Sequence, residues 1–200
     1  MQMTIYDAAT VGSRSNCVYP NPVTVTDADT MRQAAAFDHV CAEFTNYRRS
    51  NDNFLSCDVD VMDCDNSHSD RPFDWIHPED LAERIGKDVA FVVVPSRNNG
   101  KVKDGKSARP RFHVYFPHDP VTDEAACAAL KKAIHRQFPF FDGKALDCAR
   151  FIFGNPTEEI LWHEGEITID CIVKPQEKGI PQGQRNSTMS HFAGRVIKRY

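Results

Sequence analysis

The stretch from Phe54 to Asn66, FLSCDVDVMDCDN, constrains this chain more than any other. It begins apolar and ends in acid, and its alternation predicts one extended strand. Strand side chains alternate faces. Leu55, Cys57, Val59 and Val61 therefore share a face, and Asp63 and Asp65 continue it. Two carboxylates on a core-facing side repel each other and lose solvation. They are tolerable where the strand leaves the core for a cleft and a divalent cation supplies the opposite charge. Asp58 and Asp60 fall on the other, less apolar face and are expected to be solvated strand acids.

The charge pattern sharpens that expectation. A formal net charge of −4 over 200 residues gives no global argument for nucleic-acid binding. Locally, Lys and Arg concentrate at 97–111 and 174–199, and acid at 58–80. That distribution suits a metal-dependent enzyme acting on a polyanion, against a default of a solvated charged surface. The seven cysteines, at 17, 41, 57, 64, 127, 148 and 171, include no CxxC. They read as reduced thiols in an intracellular protein, with no spacing that supports a zinc site. The N-terminus has no basic region followed by an apolar run, and no stretch approaches membrane-spanning length. A cytoplasmic location is expected, with no membrane partner.

Taken in order, Val18 to Val25 predicts a short edge strand, since Pro20 and Pro22 forbid regular helix. Asp27 or Thr26 caps a helix whose apolar positions would be Phe37, Val40, Cys41 and Phe44. A short helix is expected over 78–85, ended by Gly86. Val89 to Pro95 is a buried strand by its β-branched run, and Arg111 to Pro117 is the next, so the two form a hairpin with a long basic arm. Thr122 to Phe138 is a helix lined by Cys127, Leu130, Ile134 and Phe138. A turn into a short strand follows at 145–155, and Ile167 to Val173 is a last strand. Residues 174–184 read as a linker. Residues 185–200 predict an amphipathic helix through Met189, Phe192, Val196 and Ile197, the start of a further helical segment, with Arg195, Lys198 and Arg199 outward toward template phosphates.

Three stretches converge on one chemistry: MDCDN at 62–66, SARPRFHVYFP at 107–117 and ALDCARFIFG at 145–154. Together they resemble the archaeo-eukaryotic primase superfamily, the primase–polymerases of plasmids, phages and mobile elements. That family carries a DxD or DxE pair, then a histidine strand, then a third aspartate. The resemblance spans residues 54 to 173. One departure is that many members have Ser-x-His at the second motif, where this chain has Arg111 two before His113. The resemblance implies an α+β fold, with a mixed or antiparallel central sheet flanked by helices, and a catalytic core over 1–173. It implies a DNA primase or DNA polymerase using two Mg2+ or Mn2+ ions, nucleoside triphosphates and a single-stranded DNA template or primer-template, alongside a helicase domain or partner. The host would be bacterial, archaeal or phage-encoded.

The residues support that chemistry independently. Nucleotidyl transfer needs hard oxygen ligands for divalent cations, and Asp63, Asp65 and Asp147 supply carboxylates. His113 and Arg111, one strand period apart, are placed to hold phosphates, with Lys106, Arg109 and Arg150 behind them. The loop before them adds Lys101 and Lys103. A metal-dependent nuclease uses the same groups, and a nucleic-acid-binding module with an inactive acid cluster is the alternative from another class.

Overall fold

The computed structural model describes residues 1–144 and 146–173. The linker and helix expected over 174–200, with Arg195, Lys198 and Arg199, lie outside the described residues. In chain order the elements are β1 (Met3–Asp7), β2 (Asn21–Val25), α1 (Ala28–Ala35), β3 (His39–Val40), β4 (Glu43–Phe44) and β5 (Phe54–Cys64). There follow α2 (Leu81–Ile85), β6 (Phe91–Pro95), β7 (Phe112–Val121), α3 (Glu124–Gln137), β8 (Phe151–Ile152) and β9 (Leu161–His163). They build an α+β protein with two sheets, ordered β2-β1-β3-β8 and β4-β5-β7-β6-β9. Every pair of named strands is antiparallel. No helix among the described residues is long and apolar enough to cross a membrane.

The eleven-residue strand β5 is the spine. Its long ladder with β7 runs from Cys57 opposite Val121 to Cys64 opposite Phe112, and β6 joins the far side of β7. Both faces of this sheet are covered. On one, Met62 and Cys64 pack with Phe112, Val114 and Phe116 beneath Leu130 and Ile134 of α3. On the other, Val59, Val61, Val92, Val94 and Tyr115 pack against Met3 and Ile5 of β1 and against α1. Double coverage corrects the expectation of solvated acids at 58 and 60. Asp60 lies under α3 and is 2% exposed. Asp58 is half-buried and accepts bonds from the Thr4 amide (2.8 Å) and Thr4 hydroxyl (2.9 Å).

The predicted hairpin of β6 and β7 is present, and Asp27 caps α1 by accepting from the Thr30 amide at 2.8 Å. α1 is shorter than its apolar spacing predicted, and Val40 and Phe44 belong to β3 and β4. Asp38, 0% exposed, gives the local reason. Its carboxylate accepts from the amides of Gly12 (2.8 Å) and Gly154 (2.8 Å) and from Asn16 Nδ2 (2.9 Å). Those bonds hold the chain after α1 extended between two loops. Gly154 passes so close that a Cβ there would lie 2.5 Å from the Ala36 carbonyl oxygen. The expected strand over Ile167 to Val173 is instead a single parallel bridge, Val89 to Ile167, and a 3-10 turn at Ile169–Cys171. Ile169 and Val173 plug the cluster under α3 rather than extend a ladder. The cysteines also depart from the all-reduced expectation: Cys127 of α3 and Cys148 form a disulfide.

Candidate functional site

β5 and β7 leave the core at the same end, and there the apolar face gives way to polar residues. Asp63 stands directly opposite His113 in the ladder, continuing the face of Val61 opposite Tyr115. Directly opposed side chains in an antiparallel pair share a face and meet. His113 Nδ1 lies 2.7 Å from Asp63 Oδ1. The other carboxylate oxygen accepts from the guanidinium of Arg150, which approaches from the turn before β8. Burial alone would raise the Asp63 carboxyl, which is 6% exposed, but the charges and bonds of His113 and Arg150 prevail and hold it well below the usual carboxylate range. Asp65, half-buried, lies 3.6 Å from Lys103 Nζ.

Around this pair opens a cleft of about 360 Å³ between the two sheets. Arg14, Arg97, Lys103, Asp104 and Arg150 line it with Asp63, Asp65 and His113, and Phe151 to Phe153 form one wall. Asp38 positions the Arg14 loop through its bonds to the amides of Gly12 and Ser13. Arg97 lies over the Phe153 ring, 3.4 Å from its centroid, which fixes its guanidinium at the rim. Asp104 and Gly105 take positive φ (51° and 74°) in the turn between Lys103 and Lys106. A larger cavity of about 430 Å³ lies elsewhere, lined by Glu79, Glu158, Glu159, His77, Asn99 and apolar residues and by no lysine or arginine. That lining repels polyanions, so the cation-lined cleft is the better site for a phosphate ester.

The predicted residues divide. Asp63, Asp65, His113 and Arg150 come together in the cleft. Arg109 and Arg111 precede β7 and are both 2% exposed. Arg111 donates to the carbonyls of Asn98 (3.1 Å) and Lys101 (2.6 Å), binding the basic loop to the sheet. Arg109 donates to the carbonyls of Asn66 (2.9 Å) and Ser69 (3.0 Å) and to Asp70 (2.9 Å), beside Trp75. Buried guanidiniums saturated by carbonyls position loops, and neither lines the cleft. Lys106 Nζ donates to the Ser67 carbonyl at 2.9 Å. Asp147 is exposed in the turn before β8, outside the cleft lining, and its carbonyl accepts from Lys131 Nζ at 3.0 Å. Sequence reasoning missed Arg14, Asp104 and the role of Asp38. The Asp-Gly pair at 104–105 was a legible turn signal. Nothing local marked Arg14.

The donor set suits a hard divalent cation. Asp63 and Asp65 offer only oxygens, in an open cleft, and leave most of a coordination shell to water or a ligand, as Mg2+ prefers. Asp63 already binds two partners, so a cation there would compete with Arg150 for Oδ2. Chemically the cleft can hold a cation at one wall, phosphates against Arg14, Arg97, Lys103 and Arg150, and an imidazole oriented between them.

Comparison with known proteins adds little. No family model matches the chain, and no curated protein matches it. Among solved structures, the AEP domain of the Cyanophage S-2L primase-polymerase is similar over 83% of both chains, at 17% identity and a TM-score of 0.45. A likeness that low assigns neither family nor activity.

Proposed function

We propose that the cleft catalyses nucleotidyl transfer, joining nucleoside triphosphates on a DNA template. The observation that carries this reading is the Asp63–His113 pair, opposed across β5 and β7 at 2.7 Å and surrounded by four cleft cations. The sequence resemblance to primase–polymerases supports it, because three of its motif positions, Asp63, Asp65 and His113, meet in one place. Asp63 and Asp65 hold divalent cation, Mg2+ or Mn2+. When bound, that cation offsets charge on the attacking and leaving oxygens. His113, fixed through Nδ1 by Asp63, presents Nε2 to a phosphate oxygen. Arg150, bonded to Asp63, would turn to a phosphate when triphosphate binds, so that one residue could neutralise the carboxylate or the triphosphate. Arg97 and Lys103 extend that contact along the phosphates. Asp104 is the cleft's further carboxylate, whereas Asp147 is not part of its lining.

The test is extension of a primed single-stranded template with triphosphates and either metal. Wild type should add nucleotides, and Asp63→Asn and Asp65→Asn should not. Undiminished extension by both variants removes this site from the reaction. One observation favours a second reading, metal-dependent phosphodiester hydrolysis: a carboxylate-oriented histidine is also the arrangement of a general base for water. Loss of a labelled strand without triphosphates, abolished by His113→Ala, would select it.

A further inference from the structure

We propose that Cys57, Asp60 and His118 bind one zinc ion in the protein interior, on the face of β5 turned away from the cleft. A donor atom from each of the three lies within 4.8 Å of the others. The residues are 5%, 2% and 6% exposed. Two of the donors are otherwise unexplained: Asp60 Oδ2 and His118 Nε2 are buried with no hydrogen-bond partner. Buried polar atoms are nearly always paired, so two orphans aimed at one another require a cause.

The histidine supplies the sharpest argument. His118 Nδ1 lies 2.7 Å from the Asp119 carbonyl oxygen, which can only accept. Nδ1 therefore donates, and Nε2 faces Asp60 Oδ2 from 3.7 Å, too far for a hydrogen bond. A cation between the two would bond both. Donation of the second ring N–H to a backbone carbonyl is also how metal-bound histidines are commonly oriented.

Backbone irregularity aims the three side chains. Cys57 pairs with Val121 and Val59 with Pro117, so His118, Asp119 and Pro120 of β7 face Asp58 alone. Such bulges re-aim side chains that a regular ladder would send elsewhere. The donor chemistry selects the ion. One thiolate, one imidazole and one carboxylate form a borderline-soft set that suits zinc, unlike the all-oxygen pair in the cleft. The fourth tetrahedral position is left to water. Thiolate and carboxylate together balance the ion's charge. The rival for Asp60 is Lys131, itself 2% exposed, whose ammonium donates to the Asp147 carbonyl and whose charge acts on Asp60.

Cobalt titration of the metal-free full chain decides between them. Wild type should bind one equivalent, with tetrahedral visible bands and a thiolate charge-transfer band, and zinc should displace it. Cys57→Ser should abolish the charge-transfer band. Asp60→Asn and His118→Gln should weaken zinc by more than about 100-fold, beyond the loss typical of outer residues. The double variant Asp63→Asn, Asp65→Asn should bind as wild type does, because it leaves this site intact. Circular dichroism confirms the fold of each variant. Absence of the bands in wild type overturns the proposal whatever the variants do. So does their loss in the Asp63, Asp65 double variant with retention in Cys57→Ser.

Discussion

Strands β5 and β7 bring an aspartate against a histidine twice. At one end Asp63 meets His113 at 2.7 Å; nearer the middle Asp60 lies 3.7 Å from His118. The residue types and strands are the same, and the environments are opposite. Asp63 stands on the face that opens between the two sheets, with Arg150 on its second oxygen. Asp60 stands on the face covered by α3, with the His118 ring beside it and the Lys131 charge acting on it. Burial would raise both carboxyls, yet Asp63 is held low by strong bonds, while Asp60, poorly bonded, is pushed up by desolvation. An aspartate–histidine pair on a strand is therefore not one device. Three residues along β5, a change of face and one guanidinium separate a cleft carboxylate from an interior one.

The largest effect expected is on the open pair. Asp63→Asn should lower template-directed extension by about 10³-fold, because it removes a cation ligand and the anchor of His113 together. Its thermal unfolding should stay cooperative, and an extension rate within threefold or so of wild type breaks the comparison outright.

Asp60→Ala should act the other way, on stability. Removing it empties space under α3 and takes away a carboxylate charge that acts on the buried Lys131, a loss of about 1 to 3 kcal/mol. Urea unfolding measures it. Destabilisation below about 1 kcal/mol would mean that Asp60 is neutral in the fold and has no charge partner.

Arg150→Ala should cost about 10- to 100-fold in efficiency, as loss of one charge-assisted contact does. The effect should fall on KM for triphosphate more than on template affinity, read by steady-state kinetics beside anisotropy. Arg111→Ala contrasts with it: the loop at 97–107 loses its anchors, so melting temperature should fall along with activity.

The smallest effects lie in pH dependence, measured with metal chelated. Asp63 has its folded pKa lowered, so its stabilisation is full above the ordinary carboxylate value and lost as pH falls. Asp60 has its folded pKa raised, so its contribution is full below that value and lost as pH rises. Asp63→Asn should flatten the acid side of the stability curve, and Asp60→Asn the side above it. Equal slopes from both variants would erase the contrast.

Much of this was legible in sequence, for physical reasons that can be named. β5, the β6–β7 hairpin and α3 stand out because alternation and helical spacing are long enough to be unambiguous. Strand parity put Asp63 and Asp65 on one face, and His113 came from the motif shared with primase–polymerases. Parity failed where its premise failed. It assumed one covered face of β5, so Asp60 was placed in solvent, while α3 buries it. It was also begun at Arg111, but β7 begins at Phe112, and Arg109 and Arg111 turn to loop carbonyls instead. His118 meets Cys57 and Asp60 only through a bulge, which no spacing rule encodes. Arg14 reaches the cleft through a loop held by Asp38, which accepts from the amides of Gly12 and Ser13, 26 and 25 residues away in the chain.

The most direct test of the proposed site is a crystal of the protein soaked with Mn2+ and a non-hydrolysable deoxynucleoside triphosphate, read by the manganese anomalous signal. The account predicts a peak bridging the carboxylates of Asp63 and Asp65, the triphosphate against Arg97, Lys103 and Arg150, and the Arg150 guanidinium turned away from Asp63. Manganese and triphosphate bound elsewhere, with Arg150 still paired to Asp63, would contradict it.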